Sequence, residues 1–122
     1  MSDITINPAN GNISVNLSVT TPQVVGYEVT VYDTDGNTPL EHYLSDSQTN
    51  NPFRPALAQP AGAYTGRYVG VVLSIIDPVG AGNNYSIDFS LRQQGADLNP
   101  VQHITGVTAT GKLNRFAIFH LQ

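Results

Sequence analysis

The strict alternation from Tyr85 to Arg92 constrains the fold more than any other stretch of the chain. Apolar side chains occupy every second position as far as Leu91, and polar side chains stand between them. This period of two indicates a β-strand with one buried and one solvent-facing side. The preceding run, 68–76, is apolar at nearly every position, which predicts a strand covered on both faces. A turn over 77–84 is predicted to join the two strands.

The rest of the chain repeats this pattern of strands and turns. Further strands are predicted near Ile4 and over 13–20, 24–33, 40–44, 101–108 and 113–121. Turn residues follow at intervals, including Thr21-Pro22-Gln23, 93–97 and 109–112. No helical apolar stripe of useful length is present. We therefore expect a single domain over 1–122, an antiparallel β-sandwich of seven or eight strands of the immunoglobulin-like or jelly-roll type.

The alternation also predicts which side chains form the core. The expected core residues are Val15, Leu17, Val29, Val31, Val71, Leu73, Ile87, Phe89 and Ile118.

A long irregular loop, 45–66, interrupts the strands. It holds three prolines and roughly 22 residues, longer than loops without a function usually are. Aromatic rings beside amides and a guanidinium are suited to lectin-like carbohydrate binding or to peptide binding. The candidate ligand-binding residues are Tyr43, Phe53, Arg54, Tyr64 and Tyr68. The alternative is that Phe53 and Leu57 pin the loop onto the sandwich as a plug.

Charge and cysteine content exclude several function classes. The net charge is -4, only 11% of residues are charged, and the five basic residues are scattered, so nucleic-acid and anionic-membrane partners are not expected. The chain contains no cysteine, which removes disulfides and thiolate chemistry. The start shows no signal-peptide pattern and no run is long enough for a membrane span. We expect a cytoplasmic chain as synthesised, with export or particle association as the alternative.

The segment Asp33-Thr34-Asp35-Gly36-Asn37 is the densest group of potential metal ligands. Oxygen ligands on a flexible loop suit Ca²⁺, which makes Asp33, Asp35 and Asn37 the candidate metal residues. The stretch 29–35 also resembles the strand and Asp-x-Asp loop of C2 domains, and this resemblance implies Ca²⁺ and lipid binding. The preferred interpretation is an Asp-Gly turn in which Asp33 caps local N–H groups. No cofactor is therefore expected, and Ca²⁺ is the alternative.

The sequence offers little for catalysis. The three histidines, His42, His103 and His120, stand far apart, and no serine lies in a nucleophile elbow. We therefore expect a non-enzymatic protein.

Two strands, 68–76 and 113–121, carry more apolar residues than one buried face needs. Exposed apolar patches on soluble proteins usually mark partner surfaces. We therefore expect a homo-oligomeric or assembly subunit that acts through protein contacts, with Val72, Ile76, Phe119 and Leu121 near the contact. The alternative is a lectin-like or other small-ligand module, with or without Ca²⁺, that uses the 45–66 loop.

Overall fold

A computed structural model describes residues 2–20, 23–77, 83–108 and 112–122. In these residues the chain forms nine strands and one short 3-10 helix, which spans Ala61–Tyr64. The strands are β1 (Ser2–Ile4), β2 (Ile13–Val19), β3 (Val24–Tyr32), β4 (Pro39–Asp46), β5 (Tyr68–Ile76), β6 (Asn84–Gln93), β7 (Ala96–Asp97), β8 (Gln102–Val107) and β9 (Lys112–Leu121). Residues 78–82 of the predicted turn 77–84, residues 109–111 of the predicted turn 109–112, and Thr21-Pro22 of the predicted break Thr21-Pro22-Gln23 lie outside the described residues.

The strands form two sheets that pack on each other. Sheet A has the order β1-β9-β5-β3-β4, and in sheet B strand β6 lies between β2 on one side and β7 and β8 on the other. Every pair is antiparallel except β1 with β9, which is parallel. This confirms the predicted sandwich. The structure has one strand more than the eight predicted. The additional strand is the two-residue β7, where the sequence predicts a turn.

The core lies between the two sheets and contains eight of the nine predicted residues. The exception is Ile118, which is half-buried on the other side of β9. Strand β9 instead turns Ala117, Phe119 and Leu121 inward, and the Phe119 ring lies 4.7 Å from that of Phe89. The predicted orientation of β9 is therefore wrong, because a strand with apolar residues on both faces does not reveal its inner one.

The long loop closes one side of the sandwich, between the β4 edge of sheet A and the β2 edge of sheet B. Its middle part hydrogen-bonds to β2 through Leu17 and Phe53, whose backbone groups exchange bonds of 2.8 and 2.9 Å. Leu57 is buried, and the Phe53 ring stacks on Tyr27 at 5.4 Å. The plug interpretation of the loop is confirmed. In the part of the chain that the structure describes, no helix has the length and apolar character needed to cross a membrane.

Candidate functional site

The outer face of sheet A, the surface that points away from the core, is the most apolar exposed surface on the described part of the chain. Exposed fractions reach 66% for Leu44, 58% for Phe116 and 44% for Ile76. Its other apolar and aromatic members are half-buried: Tyr32, Tyr68, Val72 and Ile118. The surplus apolar residues of β5 and β9 therefore lie on one continuous surface.

Strand register places several of these side chains in one row across four strands. Leu44 on β4 pairs with Glu28 on β3, and Glu28 pairs with Val72 on β5. Val72 in turn pairs with Phe116 on β9. Directly opposed side chains in antiparallel strands touch, so the row forms a shared surface.

Two glycines shape this surface. A Cβ atom on Gly70 would lie 3.2 Å from Tyr32 Cε2 and 3.4 Å from Phe116 Cε2, so the two rings lie against the backbone of β5. Gly26 forms part of a shallow depression of about 240 Å³, bordered by Leu44 and Val72 among others. The face thus offers protruding rings beside a recess.

Two carboxylates on the outer face of sheet A pair with histidines on neighbouring strands. Glu28 Oε1 lies 3.1 Å from His42 Nε2, and Asp3 Oδ1 lies 3.2 Å from His120 Nδ1. The His120 ring also stacks on Tyr68 at 4.4 Å. Exposed pairs of this kind contribute about 0–1 kcal/mol, so they add little to the stability of the fold.

The four residues predicted near an oligomer contact divide between surface and core. Val72 and Ile76 lie on the outer face of sheet A, as the sequence suggests. Phe119 and Leu121 are fully buried inside the single chain and cannot meet a partner. That part of the prediction is wrong, for the same reason as the orientation of β9, and Phe116 and Ile118 take their place on the surface.

Two of the predicted ligand-binding residues meet at the half-buried carboxylate of Glu41. The hydroxyls of Tyr43 and Tyr64 donate to opposite oxygens of Glu41, each at 2.5 Å. The Ala58 N–H donates to the same carboxylate at 2.9 Å. We call Glu41 with these three donors the Glu41 clasp, because it fastens the long loop to β4.

The clasp perturbs the acidity of its members. Burial opposes ionisation of Glu41, but the hydrogen bonds from Tyr43, Tyr64 and Ala58 outweigh it and hold the pKa of the carboxyl below its usual value. Burial, aided by the hydrogen bond to Glu41, raises the pKa of Tyr43 to about 12. The same causes raise the pKa of Tyr64. At neutral pH the clasp therefore holds one carboxylate and two neutral phenols.

The other three predicted ligand-binding residues lie apart from the clasp and from one another. Phe53 is half-buried, and one face of its ring stacks on Tyr27. Arg54 Nε donates to Asn16 Oδ1 at 2.7 Å, on the outer face of sheet B. Tyr68 lies on the outer face of sheet A. The structure does not bring the five residues into one pocket.

The candidate metal residues form the predicted Asp-Gly turn. The Gly36 N–H donates to Asp33 O at 2.8 Å, and Gly36 has a φ of 69°. Asp33 Oδ1 accepts the Thr34 N–H at 2.8 Å, and Asp35 Oδ1 accepts the N–H groups of Asn37 and Thr38 at 2.9 Å. These bonds hold the pKa of Asp35 below its usual value, and the Thr38 hydroxyl contributes most. The turn interpretation is confirmed, and the carboxylates serve local backbone groups.

The outer face of sheet B carries a hydrogen-bonded polar strip. Asn16 Nδ2 donates to Ser90 Oγ at 3.4 Å, and Ser90 Oγ donates to Asp97 Oδ1 at 3.1 Å. Arg92 closes the strip with a 2.9 Å bond to Asp97, and Arg54 begins it at Asn16. Polar side chains on this face bond to one another, whereas Leu44 and Phe116 expose apolar side chains on sheet A.

Sequence reasoning missed Phe116 as a surface residue and Glu41 as an organising one. The orientation of β9 hid Phe116. Glu41 and Tyr43 stand two positions apart on one strand, so the sequence predicts that they share a face. Tyr64 is distant in sequence, and its contact with Glu41 cannot be predicted from a local pattern.

No protein-family model, no curated protein and no solved structure matches this chain.

Proposed function

We propose that this protein is a non-catalytic β-sandwich that acts through protein contacts, with the outer face of sheet A as its contact surface. The proposed partner is a second copy of the chain, which makes the protein a subunit of a homo-oligomer or larger assembly. The observation that carries this proposal is the exposure of Leu44, Ile76 and Phe116 on one face, joined by half-buried Val72 and Ile118.

The composition of this face supports a protein partner. Interface centres are rich in aromatic and aliphatic residues and poor in charge, and a contiguous apolar patch on a soluble chain usually marks such a site. On the outer face of sheet A, Glu28 and Asp3 are paired with histidines, and the charged Asp46 and Lys112 lie at ends of β4 and β9. The recess beside Leu44 offers space for a side chain of the partner.

The lectin-like alternative finds less support. The hydroxyls of Tyr43 and Tyr64 both donate hydrogen bonds to Glu41, and the Phe53 ring stacks on Tyr27. Both oxygens of Glu41 already accept hydrogen bonds, so this carboxylate is poorly placed to exchange protons with a substrate. These contacts favour a structural role for the loop and a non-catalytic protein.

Sedimentation velocity over a range of concentrations tests the proposal. We expect the wild-type chain, 13.1 kDa, to show a mass above that of a monomer that rises with concentration. Phe116→Asp should lower this mass, because it places a charge at the centre of the contact. The matched control is Val107→Asp, since Val107 is similarly exposed at 53% but belongs to sheet B.

Circular dichroism should show both variants folded, because neither side chain belongs to the core. A wild-type chain that stays monomeric at every concentration would overturn the proposed self-assembly. Equal effects of the two substitutions would overturn the assignment to sheet A.

A further inference from the structure

Strand β4 presents a free backbone edge. Ser47 donates to Val25 O at 2.8 Å and accepts from Val25 N–H through its hydroxyl at 2.9 Å, which fixes Val25 and Ser47 as a bonded pair. Hydrogen-bonded pairs alternate along antiparallel strands, so Ser45, Tyr43 and Glu41 also direct their backbone groups toward β3. The residues between them, His42, Leu44 and Asp46, therefore direct their N–H groups away from the sheet, as His42 and Leu44 do their C=O groups. The Asp46 C=O accepts turn bonds from Thr49 and Asn50 instead.

These groups meet no other strand. Among the described residues, no hydrogen bond reaches the N–H or C=O of His42 or Leu44 from outside the sheet. The side chains beside this edge are exposed as well, with 66% for Leu44 and 41% for Leu40. A long edge with exposed leucines is a template for pairing with another strand.

Other edges of the sandwich are shorter than β4 or receive hydrogen bonds from other parts of the chain. The β2 edge receives the loop, with Val15 N–H donating to Pro55 O at 3.0 Å and the Asn51 side chain bonding both backbone groups of Val19. Strand β1 has three residues. On β8, the Thr105 carbonyl accepts a bond from Arg115 at 3.3 Å. The exposed eight-residue β4 is thus treated differently from its counterparts.

We propose that β4 pairs antiparallel with β4 of a second copy across a twofold axis at Leu44, so that sheet A continues from one subunit into the next. The outward backbone groups belong to even-numbered residues, which limits the registers that can form bonds. Centring on Leu44 sets its side chain against the partner's Leu44 and sets His42 against the partner's Asp46. Opposed apolar pairs are favourable across strands, and an imidazole opposite a carboxylate can form a hydrogen bond with it.

The neighbouring registers are poorer. Centring on Tyr43 sets Leu40 against the partner's Asp46, and centring on His42 sets the two imidazoles against each other. In the proposed register the Leu44 N–H donates to the carbonyl of the partner's Leu44, and the Asp46 N–H donates to that of the partner's His42. This edge contact is separate from the proposed contact through the outer face of sheet A, although Leu44 borders both.

A proline substitution isolates the backbone contribution. Leu44→Pro removes an N–H that the subunit does not use internally, and proline is tolerated on edge strands at such positions. Leu44→Ala is the matched control, because it also loses the leucine side chain but keeps the N–H. Relative to Leu44→Ala, we expect Leu44→Pro to raise the dissociation constant of the edge contact roughly 30-fold, since two symmetry-related hydrogen bonds are lost.

Hydrogen exchange of the wild-type chain gives a second measurement that does not depend on the folding of a variant. The amides of Leu44 and Asp46 should be protected at high concentration and exchange rapidly at low concentration. Unprotected Leu44 and Asp46 amides in a sample that sedimentation shows to be associated would overturn the edge inference, as would equal dissociation constants for Leu44→Pro and Leu44→Ala. If Phe116→Asp still dissociated that sample, the proposed function would stand without the edge contact.

Discussion

The outer faces of the two sheets differ in the side chains that they carry and in how those side chains are bonded. On sheet B, a strip from Arg54 to Arg92 links side chains across strands by hydrogen bonds. On sheet A, Leu44, Ile76 and Phe116 stand exposed beside a recess. A sandwich needs only its inner faces to be apolar, and the outer face of sheet B is polar, with Asn16 and Ser90 buried within its hydrogen-bonded strip. The different treatment of sheet A is what points to a partner there.

The largest effect is expected from the two phenylalanines of β9. Phe119→Ala should lower the free energy of unfolding by about 3–5 kcal/mol, because it opens a cavity in the core. Phe116→Ala, three positions away on the outer face, should change it by less than about 0.5 kcal/mol. Urea denaturation measures both at a concentration where the chain is monomeric. A large loss of unfolding free energy in Phe116→Ala would mean that this ring stabilises the subunit. The exposed apolar face of sheet A would then not need a partner to explain it.

The Glu41 clasp provides the second test, because it joins the β4 edge of sheet A to the loop that hydrogen-bonds to the β2 edge of sheet B. Glu41→Gln should cost about 1.5–3 kcal/mol, since it replaces charge-assisted hydrogen bonds by neutral ones. Glu28→Gln is the control, as Glu28 is exposed and bonds only to His42 in the described structure. Equal costs from urea denaturation of the two variants would show that the clasp adds nothing to the fold.

The clasp also predicts a pH dependence. The pKa of Glu41 is lower in the folded chain than its ordinary value of 4.5, so its stabilising contribution is complete above that value. The contribution is lost as the pH falls through the lower, folded pKa. The difference in unfolding free energy between wild type and Glu41→Gln should therefore stay constant from pH 7 to about 5 and shrink at more acid pH. A difference that grew toward acid pH would contradict the assigned direction.

The polar strip of sheet B should give a smaller effect. Asn16→Ala removes the link between Arg54 and Ser90 and should cost about 1 kcal/mol, the net value of a typical hydrogen bond. The sedimentation mass should not change, because this face is not proposed to meet a partner. A lower sedimentation mass for Asn16→Ala would indicate that the contact lies on sheet B.

The smallest effect is expected at the Asp-Gly turn, which belongs to neither face. Asp35→Ala removes caps from Asn37 and Thr38 and should lower the stability only slightly, by less than Asn16→Ala does. Calorimetry with Ca²⁺ should show no saturable binding by either the wild type or the variant. Saturable binding that disappears in Asp35→Ala would replace the turn interpretation by a metal site.

The sequence predicted the inner faces correctly wherever one side of a strand is wet. Val15 and Leu17 on β2 and Ile87 and Phe89 on β6 are buried as expected, because serine, asparagine and aspartate mark the opposite side. Strand β9 lacks that mark. Its inner side is set by contacts from distant parts of the chain, such as Ile4 beside Leu121, which no local pattern contains.

The candidate site was predicted only in part, for a related reason. The surplus of apolar residues was visible along β5 and β9, and Val72 and Ile76 do lie on the exposed face. The contribution of β4 was not visible in the sequence. Only the strand register shows that the exposed Leu44 lies in one row with Val72 and Phe116. The predicted aromatic residues near the loop do not form one site, because a sequence does not distinguish a tyrosine bonded to a half-buried carboxylate from a tyrosine free for a ligand.

The parallel pairing of β1 with β9 has a consequence for the order in which the molecule can be assembled during synthesis. Strand β9 lies between β1 and β5, so β1 has no neighbour in sheet A until the ribosome has released residues 112–121. Strands β2, β6 and β8 are all made earlier and can pair without β9. We therefore expect a nascent chain that stops before residue 112 to hold sheet B with β3, β4 and β5, while β1 stays undocked and the cavity beneath β9 stays open to water.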